Sequence, residues 1–207
     1  LREVKSFIPN DRRLNLIDAT FGGGSYSKAI LEEFKIKNLL AIDRDPISNN
    51  YFNELKKNYK NIELFNEKFS MIDKLINNSN YKDDKFDVII FDIGVSSNQI
   101  DNSDRGFSFQ KEGPLDMKMG KSNLNAFEVI NSFEEEKLAN IFFELGEERF
   151  SRKIAKNIII NRNKKSINST IELSDIIKKS VPFSNSSKKI HPATKTFQAL
   201  RVYVNDE

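Results

Sequence analysis

Asp87-Val88-Ile89-Ile90-Phe91-Asp92-Ile93-Gly94-Val95-Ser96-Ser97-Asn98-Gln99 is the stretch whose reading decides the fold. Its first half is a short apolar run with β-branched residues, bounded by charge on one side and by Gly, Ser and Asn on the other. That is the pattern of a strand buried on both faces of a parallel sheet. The run stops at Asp92, a carboxylate where the strand should end, and a small polar turn follows. In open α/β sheets, ligands bind just beyond the carboxyl ends of strands. This turn is therefore the expected meeting point of a substrate and a cofactor.

Three more strands precede it: Leu14–Thr20, Leu39–Asp43 and Ile62–Phe65. A glycine-rich turn, Phe21-Gly22-Gly23-Gly24-Ser25-Tyr26-Ser27, leads into a helix with Tyr26, Ile30 and Phe34 at i, i+4 and i+8. Asp45 is placed to cap a second helix with Pro46 at its first position, and Ile47, Tyr51 and Leu55 form its inward stripe. Glu67-Lys68-Phe69-Ser70 leads to a short helix over about 71–76. Strands alternating with helices predict a parallel, right-handed, doubly wound sheet of the α/β, Rossmann-like class.

Beyond Gln99 the pattern changes to Gly- and Phe-rich loops, then to helices. Ser132 and Glu135 read as a capping box ahead of Leu138, Ile141, Phe142 and Leu145. A helix over 149–161 turns Phe150, Ile154 and Ile158 inward and Arg152, Lys153 and Lys156 outward. Ser169 and Glu172 read as a further box, 181–192 as a loop, and the last helix as starting near Thr194. Residues 109–192 are thus expected to be a helical insertion, with 193–207 returning to the α/β domain.

The 207 residues carry a net charge of +3. Gly146–Ile190 holds eleven Lys/Arg against four Asp/Glu, a surplus of seven that leaves the rest at about −4. A basic segment beside an acidic half suits either a polyanionic partner or a solvated helix face. With no cysteine and a single histidine, His191, neither a disulfide framework nor a zinc centre is expected. No apolar run approaches about 18 residues, so the expectation is a cytoplasmic protein without a membrane partner.

The first turn falls short of a dinucleotide fingerprint, because Ser27 stands at the third glycine position and Asp18 charges the strand end. An acid before a G-x-G turn fits S-adenosylmethionine, whose α-amino group is cationic and whose approach needs small residues. Asp43, ending the second strand, can accept both ribose hydroxyls. Asp92 and the Ser96-Ser97 turn suit methylation of an exocyclic amine, whose hydrogens such acceptors can hold. Asp92 can equally contact the cofactor or cap the next turn. Gln99 can bind a cofactor edge or satisfy turn backbone.

Several longer motifs point further: Asp18-Ala19-Thr20-Phe21-Gly22, Ala41-Ile42-Asp43-Arg44-Asp45-Pro46, Asp92-Ile93-Gly94-Val95-Ser96-Ser97, Arg105-Gly106-Phe107-Ser108-Phe109, Gly113-Pro114-Leu115-Asp116-Met117, Gly146-Glu147-Glu148-Arg149-Phe150, and His191 through Arg201. In this order, over nearly the whole chain, they resemble the bacterial 16S ribosomal RNA (cytosine-4-amino) methyltransferase family, RsmH or MraW. The resemblance implies methyl transfer from S-adenosylmethionine to the 4-amino group of a cytidine, with 16S ribosomal RNA or the small ribosomal subunit as partner and no metal. It implies a methyltransferase domain begun by 1–108 and resumed at 193–207, and an RNA-engaging inserted domain. Carried over by position, the cofactor contacts fall on Gly24, Ser25, Tyr26, Asp43, Phe69, Asp92 and Gln99, and the candidate catalytic residues are Asp92, Ser96 and Ser97. Ser25 and Tyr26 depart from the glycine and histidine common there.

Arg105, Phe107 and Phe109 suit either an unstacked base or a core plug, His191 suits a helix cap, and Lys195 and Arg201 suit phosphate. DNA or protein acceptors, a nicotinamide oxidoreductase and a non-catalytic RNA-binding module are the competing readings. The resemblance further implies three more strands beside the fourth. Both ends read as cut, so the C-terminal strands are expected to be missing and Val88–Phe91 to lie on a sheet edge.

Overall fold

The structure is a computed structural model that describes residues 1–182 and 190–207; part of the expected loop over 181–192 lies outside the described residues. The chain forms two compact units, Leu1–Ser96 and Ser97–Glu207.

The first unit is a four-stranded sheet of β1 (Leu14–Asp18), β2 (Ile36–Ile42), β3 (Ile62–Phe65) and β4 (Val88–Ile90) in the order β3-β2-β1-β4. Every pairing is parallel, with Ile17 level with Leu40 and Ile89. The side chains alternate between two apolar layers, as expected of a doubly wound sheet. Leu14, Leu16, Leu39, Ala41 and Ile90 pack with Ile30 of α2 (Ser25–Glu33) and with Phe52 and Leu55 of α3 (Ser48–Asn58). Ile17, Ala19, Leu40 and Ile42 pack on the other face with Leu75, Ile72 and Ile76 of α4 (Ile72–Asn78). A short α1 (Arg2–Ser6), for which the sequence shows no periodicity, precedes the sheet.

Two expectations change here. The helix after Asp45 begins at Ser48 rather than Pro46. The Asp45 carboxylate accepts the Ile47 N–H (3.2 Å) and its carbonyl accepts the Ser48 N–H (3.1 Å), so a side-chain-closed turn precedes the helix. β4 is buried on one face only. α4 covers β1 and β2, and β4 pairs with β1 at a sheet edge, so Ile90 is buried while Ile89 and Phe91 are each 49% exposed.

The second unit is helical: α5 (Ser97–Asp101), α6 (Ala126–Ser132), α7 (Glu135–Glu144), α8 (Ser151–Arg162), α9 (Thr170–Ser180) and α10 (Thr194–Asn205). Leu138, Phe142, Ile154, Ile158, Leu173 and Ile177 form its core, together with Phe197, Leu200 and Val204 of α10. α10 therefore takes its packing from this unit, and the division falls at Ser96/Ser97 rather than at the expected 108/109.

The capping pattern is also displaced. The box that forms is Asn125 with Glu128, opening α6, and the Ser132 hydroxyl donates to the Glu128 carbonyl inside that helix. α7 starts after Glu134 with no side-chain cap. Ser169 does accept the Glu172 N–H (3.2 Å), but the Glu172 carboxylate accepts from Asn168 instead (2.8 Å). Phe150 is the α8 N-cap and points outward, because the inward stripe of that helix is Ile154, Ala155 and Ile158.

The Gly- and Phe-rich loops are built into this core. Phe107 and Phe109 pack against it, Phe109 stacks on His191 at 4.5 Å, and Arg105 donates to the Lys118 carbonyl (2.6 Å). The plug reading of Gly-Phe-x-Phe therefore holds. His191 Nδ1 accepts the Ala193 N–H (3.2 Å) at the head of α10, a capping contact. Lys195 and Arg201 have protein partners, the Glu147 carbonyl (2.9 Å) and the Glu207 carboxylate (3.0 Å). Gly106, at φ 70°, lies where a side chain would meet the Pro114 carbonyl at 2.0 Å, so two backbone segments cross there.

Asn205, fully buried, fastens the crossed loop to α10. Its amide donates to the Met117 carbonyl (2.7 Å) and accepts the Met119 N–H (2.8 Å). Asn205→Ala leaves both groups buried without that partner and should lower stability to urea by about 2–4 kcal/mol. A loss below about 0.5 kcal/mol would remove this role from Asn205.

Candidate functional site

The chain runs outward from β1 through β2 to β3 and then returns to the other side of β1 as β4. The crevice at the carboxyl ends of β1 and β4 is thus the topological switch point, where open α/β sheets bind ligands. The turn after β1 is pinned from both sides: the Ala19 N–H donates to the Ile90 carbonyl (2.9 Å) and the Phe21 N–H to the Ile42 carbonyl (3.0 Å).

Asp18 is the anchor of this turn, and it is only 1% exposed. One carboxylate oxygen accepts the Ser27 hydroxyl (2.6 Å) and the other the Thr20 N–H (3.3 Å). The expectation that Asp18 meets a cationic group directly gives way to a bracing role between β1 and α2. Ser27, which breaks the dinucleotide fingerprint in the sequence, is the donor that this buried acid needs. Burial pushes the Asp18 carboxyl up to about 6; the Ser27 and Thr20 bonds oppose the rise, and the charges of Asp43 and Asp92 add to it.

Gly24 caps α2 at φ 73°, and a side chain there would meet the Phe21 ring at 2.6 Å. Ser25 and Tyr26 follow as the first two residues of α2, the first exposed and the second half-buried against the core. Asp43 stands just past β2. Its two oxygens accept the Gly22 N–H and the Asp45 N–H (2.8 Å), which fixes the carboxylate and leaves further lone pairs. Burial raises its pKa, against those two backbone bonds.

Asp92 presents an exposed carboxylate, and its N–H donates to the Thr20 hydroxyl (2.6 Å). Ser96 lies against the turn, 3.8 Å from where a side chain on Gly22 would begin. Phe69, in a 3-10 turn over Phe69–Met71, is 41% exposed and sets its ring edge-on to Phe91 at 5.5 Å, which rules out plain core packing. Ser97 and Gln99 belong to α5 of the second unit, Ser97 exposed and Gln99 buried.

The turn after β1 thus brings Asp43, Asp92 and Ser96 together through Gly22 and Thr20, and Gly24, Ser25 and Tyr26 follow it into α2. Sequence reasoning missed Thr20, Ser27 and Phe91. Ser27 was legible only as a failed glycine, and Phe91 only as part of an apolar run. Among the described residues, no group of three or more His, Asp or Glu could hold a metal ion, and no helix is long and apolar enough to cross a membrane.

The raised Asp18 pKa has a signed consequence. The folded state holds this proton more tightly than the unfolded chain, so Asp18 weakens the fold as pH rises through about 4 to 6. Going from pH 7 to pH 5 should raise wild-type stability by about 1 kcal/mol relative to Asp18→Asn, measured by urea unfolding at both values. A gap between the two proteins that does not change with pH would contradict the burial account.

A family model described as the MraW methylase family matches residues 1–207. A ribosomal RNA small subunit methyltransferase H from Wolbachia sp. subsp. Drosophila simulans (strain wRi) is 50% identical over 210 residues, covering 100% of this chain and 70% of the relative. A protein of the same name from Ehrlichia canis (strain Jake) is 45% identical over 210 residues, covering 100% and 69%. Another from Rickettsia massiliae (strain Mtu5) is 46% identical over 206 residues, covering 99% and 64%. The chain spans about two-thirds of the length of these curated relatives. With its whole length matched by one model and with relatives at such identity, the chain belongs to the MraW methylase family.

Proposed function

We propose that this chain uses S-adenosylmethionine to methylate the exocyclic 4-amino group of a cytidine in 16S ribosomal RNA. The observation that carries the reading is the fixed Asp43 carboxylate beside the glycine turn at the switch point. The relatives' names, which specify small-subunit ribosomal RNA, supply the acceptor.

The residues fit this cofactor chemically. Three carboxylates, Asp18, Asp43 and Asp92, are close enough that the other two raise the pKa of Asp18. A bound cation relieves that repulsion. Asp43 has lone pairs for ribose hydroxyls, and Gly24, Ser25 and Tyr26 bring backbone to the methionine end. Phe69 offers an apolar face to the adenine. When bound, S-adenosylmethionine supplies a methyl group already activated on a sulfonium. Asp92, with Ser96, accepts hydrogen bonds from the amine. An amine conjugated with its ring is a poor nucleophile, and acceptors on its hydrogens favour the rehybridised nitrogen.

The helical unit supplies the grip on RNA in this reading. Arg152, Lys153 and Lys156 are exposed on α8, opposite its buried Ile154, Ala155 and Ile158. Arg152 and Lys153 fall in the first turn, which has no acid. Cations at that end oppose the helix dipole, a cost that a bound phosphate offsets.

Labelled methyl transfer tests the reaction, run on free 16S RNA and on small subunits; transfer to neither would refute it. Asp43→Ala should weaken S-adenosylmethionine binding by roughly 1.5–3 kcal/mol in calorimetry. Unchanged affinity in a folded variant would withdraw Asp43 from the cofactor site. Replacing Arg152, Lys153 and Lys156 by Gln should reduce the salt dependence of RNA binding by about 0.7 per lost contact, with cofactor affinity preserved. An unaltered slope would make α8 a solvated face.

A further inference from the structure

β3 and β4 lie at opposite edges of the sheet, three strand spacings apart. At ordinary spacing that is about 14 Å. Yet Phe69, just beyond β3, puts its ring 5.5 Å from that of Phe91, just beyond β4, at an interplanar angle of 81°. The segment over 66–71 therefore leans from β3 toward the carboxyl end of β2, and the two rings bridge the rest of the gap. It is tied down on the way: the Asn66 amide donates to the Asp43 carbonyl (3.2 Å) and to the Ser48 hydroxyl (3.0 Å).

Phe91 is the far anchor of this strap. The pairing of Ile17 with Ile89 places Ile89 and Phe91 on the α4 side of the sheet. α4 covers β1 and β2 there, and Phe91 stays 49% exposed. An edge-to-face contact is directional, because the positive ring edge meets the negative face of its partner. The Phe91 ring thereby limits the planes available to Phe69, which is itself 41% exposed in its 3-10 turn.

We propose that Phe91 is a positioning residue of the methyl-donor site: it holds Phe69 in the one orientation in which that ring lies flat against the cofactor's heteroaromatic base. The inference rests on the S-adenosylmethionine reading above. Pre-orienting Phe69 removes an ordering cost otherwise incurred at each binding event. The effect falls on affinity for the donor, because the contact that Phe91 makes is with the ring that would face the donor.

The test is calorimetry of S-adenosylmethionine and S-adenosylhomocysteine binding to the intact protein. The variants are Phe91→Leu, Phe91→Tyr, Phe69→Leu and the Phe69→Leu/Phe91→Leu double. Phe91→Leu keeps apolar bulk at a half-exposed position and removes only the ring, so the fold is retained. It should weaken both ligands about three- to tenfold. Phe91→Tyr, which keeps the ring edge, should stay within about twofold of wild type. In the Phe69→Leu background, Phe91→Leu should add no further loss, the non-additivity expected of residues acting as a pair. Steady-state kinetics should show the KM for the donor rising by the same factor with kcat retained. Wild-type binding with an undiminished Phe91→Leu variant would overturn this inference alone, as would an equal loss in the Phe69→Leu background. Wild-type protein that binds neither ligand would overturn the cofactor reading, and this inference with it.

Discussion

The buried carboxylate of Asp18 is the contact on which the site depends. It receives the Ser27 hydroxyl from α2 and the Thr20 N–H from the turn, and so locks the exit of β1 to the entrance of the next helix. Thr20, once placed, offers its hydroxyl to the Asp92 N–H. Gly22, once placed, donates to Asp43. One desolvated acid therefore sets the positions of the two other acids that line the crevice. An unpaired carboxylate at that depth would be costly. Ser27 and Thr20 make it tolerable, and the residual cost appears as the raised pKa of Asp18.

The helical unit solves a different problem. Its loops are rich in glycine and polar backbone, yet they run through an apolar core. Every buried N–H and C=O in such a loop needs a partner. Asn205 supplies partners to Met117 and Met119 from the end of α10, and Gly106 permits the backbone crossing that brings Pro114 alongside. The motif residues of this region serve packing first: Phe107, Phe109 and His191 lie on one another or on the core, and Arg105 braces the loop. The exposed cations Arg152, Lys153 and Lys156 are not drawn into that core.

In the proposed reading the two units take different chemical tasks. The first concentrates acids and exposed aromatic rings at strand ends, which suits a cationic, heteroaromatic small molecule. The second concentrates cations on a helix face, which suits phosphate. The charge surplus of Gly146–Ile190, visible in the sequence, lies within the second unit and does not by itself specify the fold.

The strands, their parallel class and the acids at their ends were legible from sequence alone. Alternating apolar strands and helical stripes leave few topologies once crossover handedness is imposed. The long motifs were legible as one family for the same reason that they are long: they combine turn glycines, caps and site acids that must occur together. Tertiary structure alone decided which acid meets solvent. Asp18, Asp43 and Asp92 look alike as strand-terminal carboxylates, but Ser27 and Gly22 bond the first two from other segments, while Thr20 reaches only the backbone N–H of Asp92 and leaves its carboxylate exposed. It alone showed that β4 is buried on one face, because coverage by α4 is a long-range fact. It alone moved the capping box to Asn125 and Glu128, because an S-x-x-E pattern does not reveal that its serine already lies inside a helix. Local patterns report what one segment prefers. Burial and hydrogen-bond partners depend on segments distant in sequence, and only the folded chain brings those together.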